Sequence, residues 1–486
     1  MGVIRVLNAV GRLIAVTPRP LLRMICYGFG PIIAWVRPSR RRQALASLSL
    51  AFPDYSTKQI KRIYNENARR LIEMGLLVVA MPHFTKQALR RMIAVDGATG
   101  RQIRETFGAD PQRQPVVLLI PHLTLSELLT AIPCLVDYPL SPTKVIFRPI
   151  PSLQLDRWVH ESRSRHGVEL LSRKLGFNQA MRALERRETV AVLFDQKAGN
   201  SGSLITFFDR VCLASELPGI LAEKYKAIPF AAALERKGFW RAQLRLEELD
   251  CQRDAAEVTL AAHEWLQRYL CASEDRAADW LWLHDRWGSF YKPIQRFALK
   301  HKRDLLAQQN ERLQRSALPR KEPVWCLLPD SAKEAAAFLP VIEAIRRARP
   351  DFALTLVAAD AYIFEWLKQG RAEAGLLLPP RKWARWWVLW RYRKSYPATV
   401  IVFDPSSAAA LGAWFLRCPQ RFGMRIGSRR RLGINKDLGC MASTGGAGWN
   451  AATISQSWLS ALERCGLPAV SPESRGKSIT KFHEQP

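Results

Sequence analysis

His122 and Glu127 are the residues whose types and spacing point most directly to chemistry. They stand in Pro-His-Leu-Thr-Leu-Ser-Glu, 121 to 127, just past the apolar run Val116 to Ile120. That run is short, β-branched and bounded by Pro115 and Pro121, so it predicts a buried strand. A histidine just past a strand, with a carboxylate a few residues on, suits a general base and the group that orients it. The carboxylate would fix the imidazole tautomer, and the ring would then take a proton from a hydroxyl. The same residues also read as a capping box, Thr124 to Glu127, with Glu127 satisfying backbone donors at the start of a helix. Spacing leaves both readings open.

The surrounding pattern alternates strand and helix. Further strand-like runs are Lys144 to Arg148, Val168 to Leu171, Thr189 to Phe194 and Pro229 to Leu234, with a helical pattern at Asn178 to Arg187. Ser56 to Gln59 is a second capping box, and it opens a predicted helix over 57–80. Such alternation predicts an α/β sandwich with a largely parallel sheet, and His122 at the carboxyl end of its strand, where such sheets place their sites.

At 486 residues two domains are expected. The chain carries 73 Lys and Arg against 43 Asp and Glu, a net charge of +30. That charge calls for an acidic partner: nucleic acid, an anionic membrane face or an acidic carrier protein. No zinc-finger, RNP or helix-turn-helix signature is present, which argues against nucleic acid. The 16 tryptophans favour a membrane interface. Nine cysteines, none in a CxxC pair, fit reduced thiols, and no metal-ligand spacing occurs. The N-terminus lacks the layout of a cleaved signal peptide. Residues 24 to 36 are uncharged but too few to span a bilayer, and Arg19, Arg23, Arg37, Arg40, Arg41 and Arg42 flank them. An interfacial anchor on the cytoplasmic face is expected over residues 1–42. A second basic-aromatic stretch, 381 to 396, sets Trp383, Trp386, Trp387 and Trp390 among six cations and no acid, and predicts an interfacial helix.

Six pieces in order resemble the lipid A biosynthesis acyltransferase family, the late lauroyl/myristoyl transferases of lipopolysaccharide synthesis. After Arg40-Arg41-Arg42 with Leu50-Ala51-Phe52-Pro53 come His122-x4-Glu127, Phe147-Arg148-Pro149, and Arg163-Ser164-Arg165 with Arg173-Lys174. Phe194-Asp195-Gln196 with Phe207-Phe208, and Trp282-Leu283-His284-Asp285-Arg286-Trp287, complete the series. The likeness covers about residues 38 to 290. It departs at Pro121, where the family has glycine, and at Thr124 to Ser126, where the family has a Gly-Asn-Trp-like stretch. The resemblance implies a glycerol-phosphate-acyltransferase-like α/β sandwich over 43–296. It implies His122 as base, Glu127 as its orienter, Arg163 as neutraliser of a tetrahedral intermediate or acceptor phosphate, and Asp195 as a residue that orders the site. Arg148, Arg165 and Arg173 are implied to bind substrate. The implied donor is acyl carrier protein, with no other cofactor and no metal. The implied acceptor is an anionic glycolipid among the lipids of the inner membrane.

Residues 297–322 are polar and charged and read as a helical extension and linker. A second α/β unit over 323–486 is expected from strands at Val324 to Leu328, Phe352 to Ala358 and Thr399 to Phe403, and from a helix at Lys333 to Ala348 kinked at Pro340. It resembles a degenerate, Rossmann-like amino-terminal domain of the family 9 heptosyltransferases, through Pro340 to Pro350 and Arg421 to Arg425. Lys333-Glu334 stands where that family places Gly-Asp, and the chain ends before a second Rossmann-like half, so no glycosyl transfer is expected.

Overall fold

The computed structural model describes residues 2–469, apart from 37, 173–175, 289–291, 317, 319, 426–429 and 441–450. The chain divides into two compact units, one of residues 1–208, 212–286 and 301–312, the other of 209–211, 287–300 and 313–486. Both are mixed α/β.

In the first unit seven strands form one sheet: β1 (Ile93–Ala94), β2 (Val116–Ile120), β3 (Thr143–Phe147), β4 (Val168–Ser172), β5 (Thr189–Leu193), β6 (Ile228–Gly238) and β7 (Arg241–Glu248). Their order is β1-β7-β6-β2-β5-β3-β4. The pairs are parallel except β6 with β7, which run antiparallel. β2 is buried along its whole length, as an all-apolar strand at the middle of a sheet must be. β6 extends beyond the expected Pro229 to Leu234 and turns back into β7, which the sequence pattern did not reveal.

The helix Thr57–Ala80 begins at Ser56 with the capping box formed on both sides. The amphipathic helix Gly2–Val16 packs closely on it: a Cβ at Gly11 would collide with the Val79 carbonyl oxygen. A larger residue at position 11 would therefore push the two helices apart. The stretch 297–322 is not a continuous helical tether. It holds the short strand Arg303–Asp304 and the helix Leu306–Arg312. Gln309 of that helix is buried and accepts the Thr206 N–H at 2.6 Å while donating to the Thr206 carbonyl at 3.0 Å.

The second unit holds six parallel strands: β8 (Glu322–Leu327), β9 (Phe352–Ala358), β10 (Ala374–Leu377), β11 (Thr399–Val402), β12 (Gln420–Arg425) and β13 (Lys436–Cys440). Their order is β10-β9-β8-β11-β12-β13. The expected kinked helix is instead two helices, Ala332–Ala336 and Leu339–Ala348, with Pro340 in the first turn of the second, where its missing N–H costs nothing.

Candidate active site

Parallel pairing brings the site together. Ile120 of β2 lies opposite Leu193 of β5. Two residues further along each strand stand His122 and Asp195. The Asp195 carboxylate lies 2.5 Å from His122 Nδ1 and accepts the His122 backbone N–H at 2.9 Å. It also accepts the Trp280 indole N–H at 2.6 Å. Asp195 is fully buried. Burial alone would raise its pKa, but the His122 ring and the three donors outweigh that and hold it down to about 2. An anionic acceptor at Nδ1 puts the ring proton there. Nε2 is then the free acceptor, and the Gln196 side-chain amide donates to it at 2.8 Å.

Among the described residues no hydrogen bond or ion pair joins Glu127 to His122. The expected orienter is instead held by Arg163, whose Nε and Nη2 donate to its two carboxylate oxygens at 2.8 and 2.9 Å. The capping box at Thr124 does not form either. Ser126–Cys134 is a 3-10 helix whose N-cap, Leu125, makes no side-chain bond. The Thr124 hydroxyl donates to Asp279 at 2.6 Å and accepts from Arg236 at 2.9 Å. Arg236 bonds Asp279 and both oxygens of Glu73, each at 2.9 Å, and Arg70 reaches Asp279 at 3.1 Å. The cations and carboxylates of this buried group match, so no charge is left uncompensated beneath the His122 loop. The loop is also stitched to the segment around Trp280, by a Leu123–Trp280 bridge and by the Thr124 N–H to the Asp279 carbonyl at 2.9 Å.

His122, Glu127 and Arg163 line a cavity of about 600 Å³ together with Arg148, Gln196 and His284. Its remaining walls are mostly apolar and include Ile103, Phe107, Leu118, Ile120, Leu129 and Val145. Phe107 stacks edge-on against Phe230 at 5.6 Å, and Phe230 lies opposite Leu118 in the sheet. The lining therefore runs about four strand residues below His122, roughly 13 Å. A polar mouth carrying a histidine above an apolar well of that depth suits a molecule with a polar head and a hydrocarbon tail.

The family model for bacterial lipid A biosynthesis acyltransferases matches residues 2–289. The chain belongs to that family. Among curated proteins, a lipid A biosynthesis acyltransferase of Haemophilus influenzae is 27% identical over 238 residues, which is 47% of this chain and 72% of that protein. A solved glycosyl transferase family 9 structure from Veillonella parvula matches at 14% identity with a TM-score of 0.26, over 31% of this chain and 43% of that one. A likeness so loose carries no weight.

Of the residues expected to bind substrate in this acyltransferase, Arg148 is exposed at the cavity mouth. Arg165 is exposed just past the helix Leu153–Ser164 and is absent from the lining. Arg173 lies outside the described residues. Sequence reasoning missed Trp280 and gave Gln196 and His284, both in pieces of the resemblance, no role. His284 Nε2 accepts the Lys197 N–H at 3.0 Å, and burial, then Arg286 and Lys197, push its pKa down to about 4. The neutral ring thus fixes the backbone next to Gln196.

His263 gives a pH-dependent signature. Its Nδ1–H donates to the Thr259 carbonyl at 2.8 Å, and Arg286 donates to its Nε2 at 3.1 Å. Burial, then Arg286, push its pKa from 6.5 to about 3. The unfolded chain takes up this proton below about pH 6.5 and the folded chain does not until about pH 3. The contribution is therefore complete above pH 6.5 and is lost as pH falls toward 3. Between pH 7 and pH 5 this one group should cost about 2 kcal/mol. Thermal melts at the two pH values check this, and His263→Gln should remove that share of the slope.

Proposed function

We propose that this protein moves a fatty acyl chain from the thioester of acyl carrier protein to a hydroxyl of a lipid A precursor or related anionic glycolipid, at the cytoplasmic face of the inner membrane. The observation that carries the reading is His122, backed by an anionic Asp195, at the mouth of a deep apolar cavity. The acceptor hydroxyl takes the place of the Gln196 amide at Nε2 and passes its proton to the ring. The oxygen attacks the thioester carbonyl, the C–S bond breaks, and the imidazolium returns the proton to the leaving thiolate. Asp195 stabilises the imidazolium in between. Glu127 acts on Arg163 and not on His122: it holds the guanidinium in place for the charge that develops on the carbonyl oxygen or for an acceptor phosphate.

Transfer by the purified protein, with acyl carrier protein thioesters and a lipid A precursor, is the direct test. Lipid analysis of a deletion strain complements it. A lost secondary acyl chain supports the reading. A change in a different glycolipid or in a hydroxylated pigment would move the acceptor elsewhere, and no lipid change would leave a non-catalytic adaptor.

The cavity gives a graded test. Phe107→Leu opens the well at the level of Leu118 and should shift donor preference toward longer chains. The shift should be up to about fourfold in kcat/KM per added methylene, the worth of one buried CH₂. Unchanged preference would place the acyl chain elsewhere.

Membrane association is supported by the helix Gly2–Val16, where Val3, Val6, Val10 and Leu13 form one exposed apolar face. Met24 and Phe29 of the next helix, Arg19–Val36, are exposed as well. Among the described residues no helix is long and apolar enough to cross a membrane. High salt should therefore release only part of the protein from isolated membranes, because apolar burial is insensitive to screening. Full recovery in the soluble fraction at physiological salt would contradict this.

A further inference from the structure

The helix Lys382–Arg391 of the second unit has one side that the fold uses and one that it does not. On the used side Leu389 is buried, and Trp386 stacks on Phe415 at 5.7 Å with its indole N–H on the Ala408 carbonyl at 3.0 Å. On the other side Trp383, Trp387 and Trp390 are 65%, 54% and 40% exposed. Their spacing, four and then three, places them on one helical stripe about 10 Å long. Exposing three indoles in a row is costly in water unless something covers them.

The charges around the stripe say what that is. Six cations, Arg381, Lys382, Arg385, Arg391, Arg393 and Lys394, stand in the same stretch, and residues 381 to 396 contain no acid. Among the described residues only Arg385 of the six holds an ion pair, with Asp330 at 2.9 Å. Arg391 lies 4.7 Å from the centre of the Trp387 ring and Arg393 3.6 Å from that of Trp390. A protein interface core is depleted of charged residues as a class, and six cations without an acid do not match it. A platform for stacked bases needs open ring faces, and two of the three rings already carry a guanidinium over one face. An indole beside cations that reach outward is the arrangement that sits at a headgroup layer, with the ring among the lipids and the cations on phosphates.

We propose that the helix Lys382–Arg391 seats the second unit flat on an anionic phospholipid surface, with Trp383, Trp387 and Trp390 inserted at headgroup depth. The inference is independent of the acyl-transfer reading. The second unit thereby makes its own contact with the bilayer, separate from the N-terminal helices.

The test uses the full chain and vesicles of phosphatidylcholine with or without phosphatidylglycerol. The triple variant Trp383→Ser, Trp387→Ser, Trp390→Ser alters only exposed side chains. It should lower partition onto the anionic vesicles roughly tenfold or more. Arg381→Gln with Lys382→Gln and Lys394→Gln should weaken binding to anionic vesicles and leave the weak binding to neutral ones unchanged. Because the N-terminal helices bind too, a local readout is needed: a photoreactive benzoylphenylalanine in place of Trp387 should form lipid adducts on anionic vesicles. Absence of lipid adducts while the chain is vesicle-bound would overturn the proposal, as would loss of single-stranded oligonucleotide binding, with vesicle binding intact, in the triple variant. Acyl transfer to a detergent-dispersed acceptor should be unchanged in the triple variant, so failure here and failure of the proposed reaction are read separately.

Discussion

Asp195→Asn is expected to lower kcat for acyl transfer by roughly 10³- to 10⁴-fold, with KM for either substrate little changed. The reason is the number of donors aimed at this carboxylate. It receives the His122 backbone N–H, the ring Nδ1–H and the Trp280 indole N–H. An amide has one oxygen and an NH₂ group. With its NH₂ toward Nδ1, the ring proton is driven to Nε2, where a base needs a lone pair. With its NH₂ reversed, that group confronts the two buried donors of the other oxygen, the His122 backbone N–H and the Trp280 indole N–H. The ¹⁵N shifts of the His122 ring report the tautomer directly. Combining Asp195→Asn with His122→Ala should cost little more than His122→Ala alone, since the two act as a unit. A loss below tenfold in the Asp195 variant, beside a severe one in His122→Ala, would remove Asp195 from the role of orienter.

Glu127→Ala should fail differently. It leaves the partly buried Arg163 guanidinium without its carboxylate and should cost about 1–3 kcal/mol of stability along with 10²-fold or more in activity. Adding Arg163→Ala should recover most of the stability and none of the activity, which denaturation and kinetics of the double-mutant cycle resolve. The His122 tautomer should be unaffected in either variant. If Glu127→Ala changes the ring tautomer as Asp195→Asn does, the assignment of the two carboxylates is reversed.

These two cases show what the sequence could and could not disclose. The strands with β-branched apolar runs, Val116–Ile120 and Thr189–Leu193, are plain in the chain because both faces of a central parallel strand are buried. Arg241–Glu248, Arg-Ala-Gln-Leu-Arg-Leu-Glu-Glu, sets single apolar residues between polar ones at a sheet margin and has no unbroken apolar run. Ala374–Leu377 is too short to show. His122 stood out because it lies just past its strand, after Pro121. Asp195 was named through the resemblance as a residue that orders the site, but its pairing with His122 was not read, because a carboxylate five positions on looks nearer than one 73 residues away. Only the pairing of β2 with β5, which juxtaposes the residues after Ile120 and Leu193, makes the distant one adjacent. Glu127 was found by its spacing and given the wrong neighbour. Gln196 and Trp280 carry no signal of their own, since an amide and an indole acquire meaning here only from what they touch.

The bonds that fix the base span long stretches of chain. His122 to Asp195 closes a separation of 73 residues, Asp195 to Trp280 one of 85, and Thr124 to Asp279 one of 155. Contacts so far apart in sequence form late, after nearer ones have reduced the entropy of closing the loops. A chain still emerging during synthesis therefore has its apolar strands well before it has an oriented imidazole. The donor set on Asp195 is complete only when Trp280 has joined the strands laid down before it, so a copy that stops short of that residue carries His122 without the full arrangement around its ring.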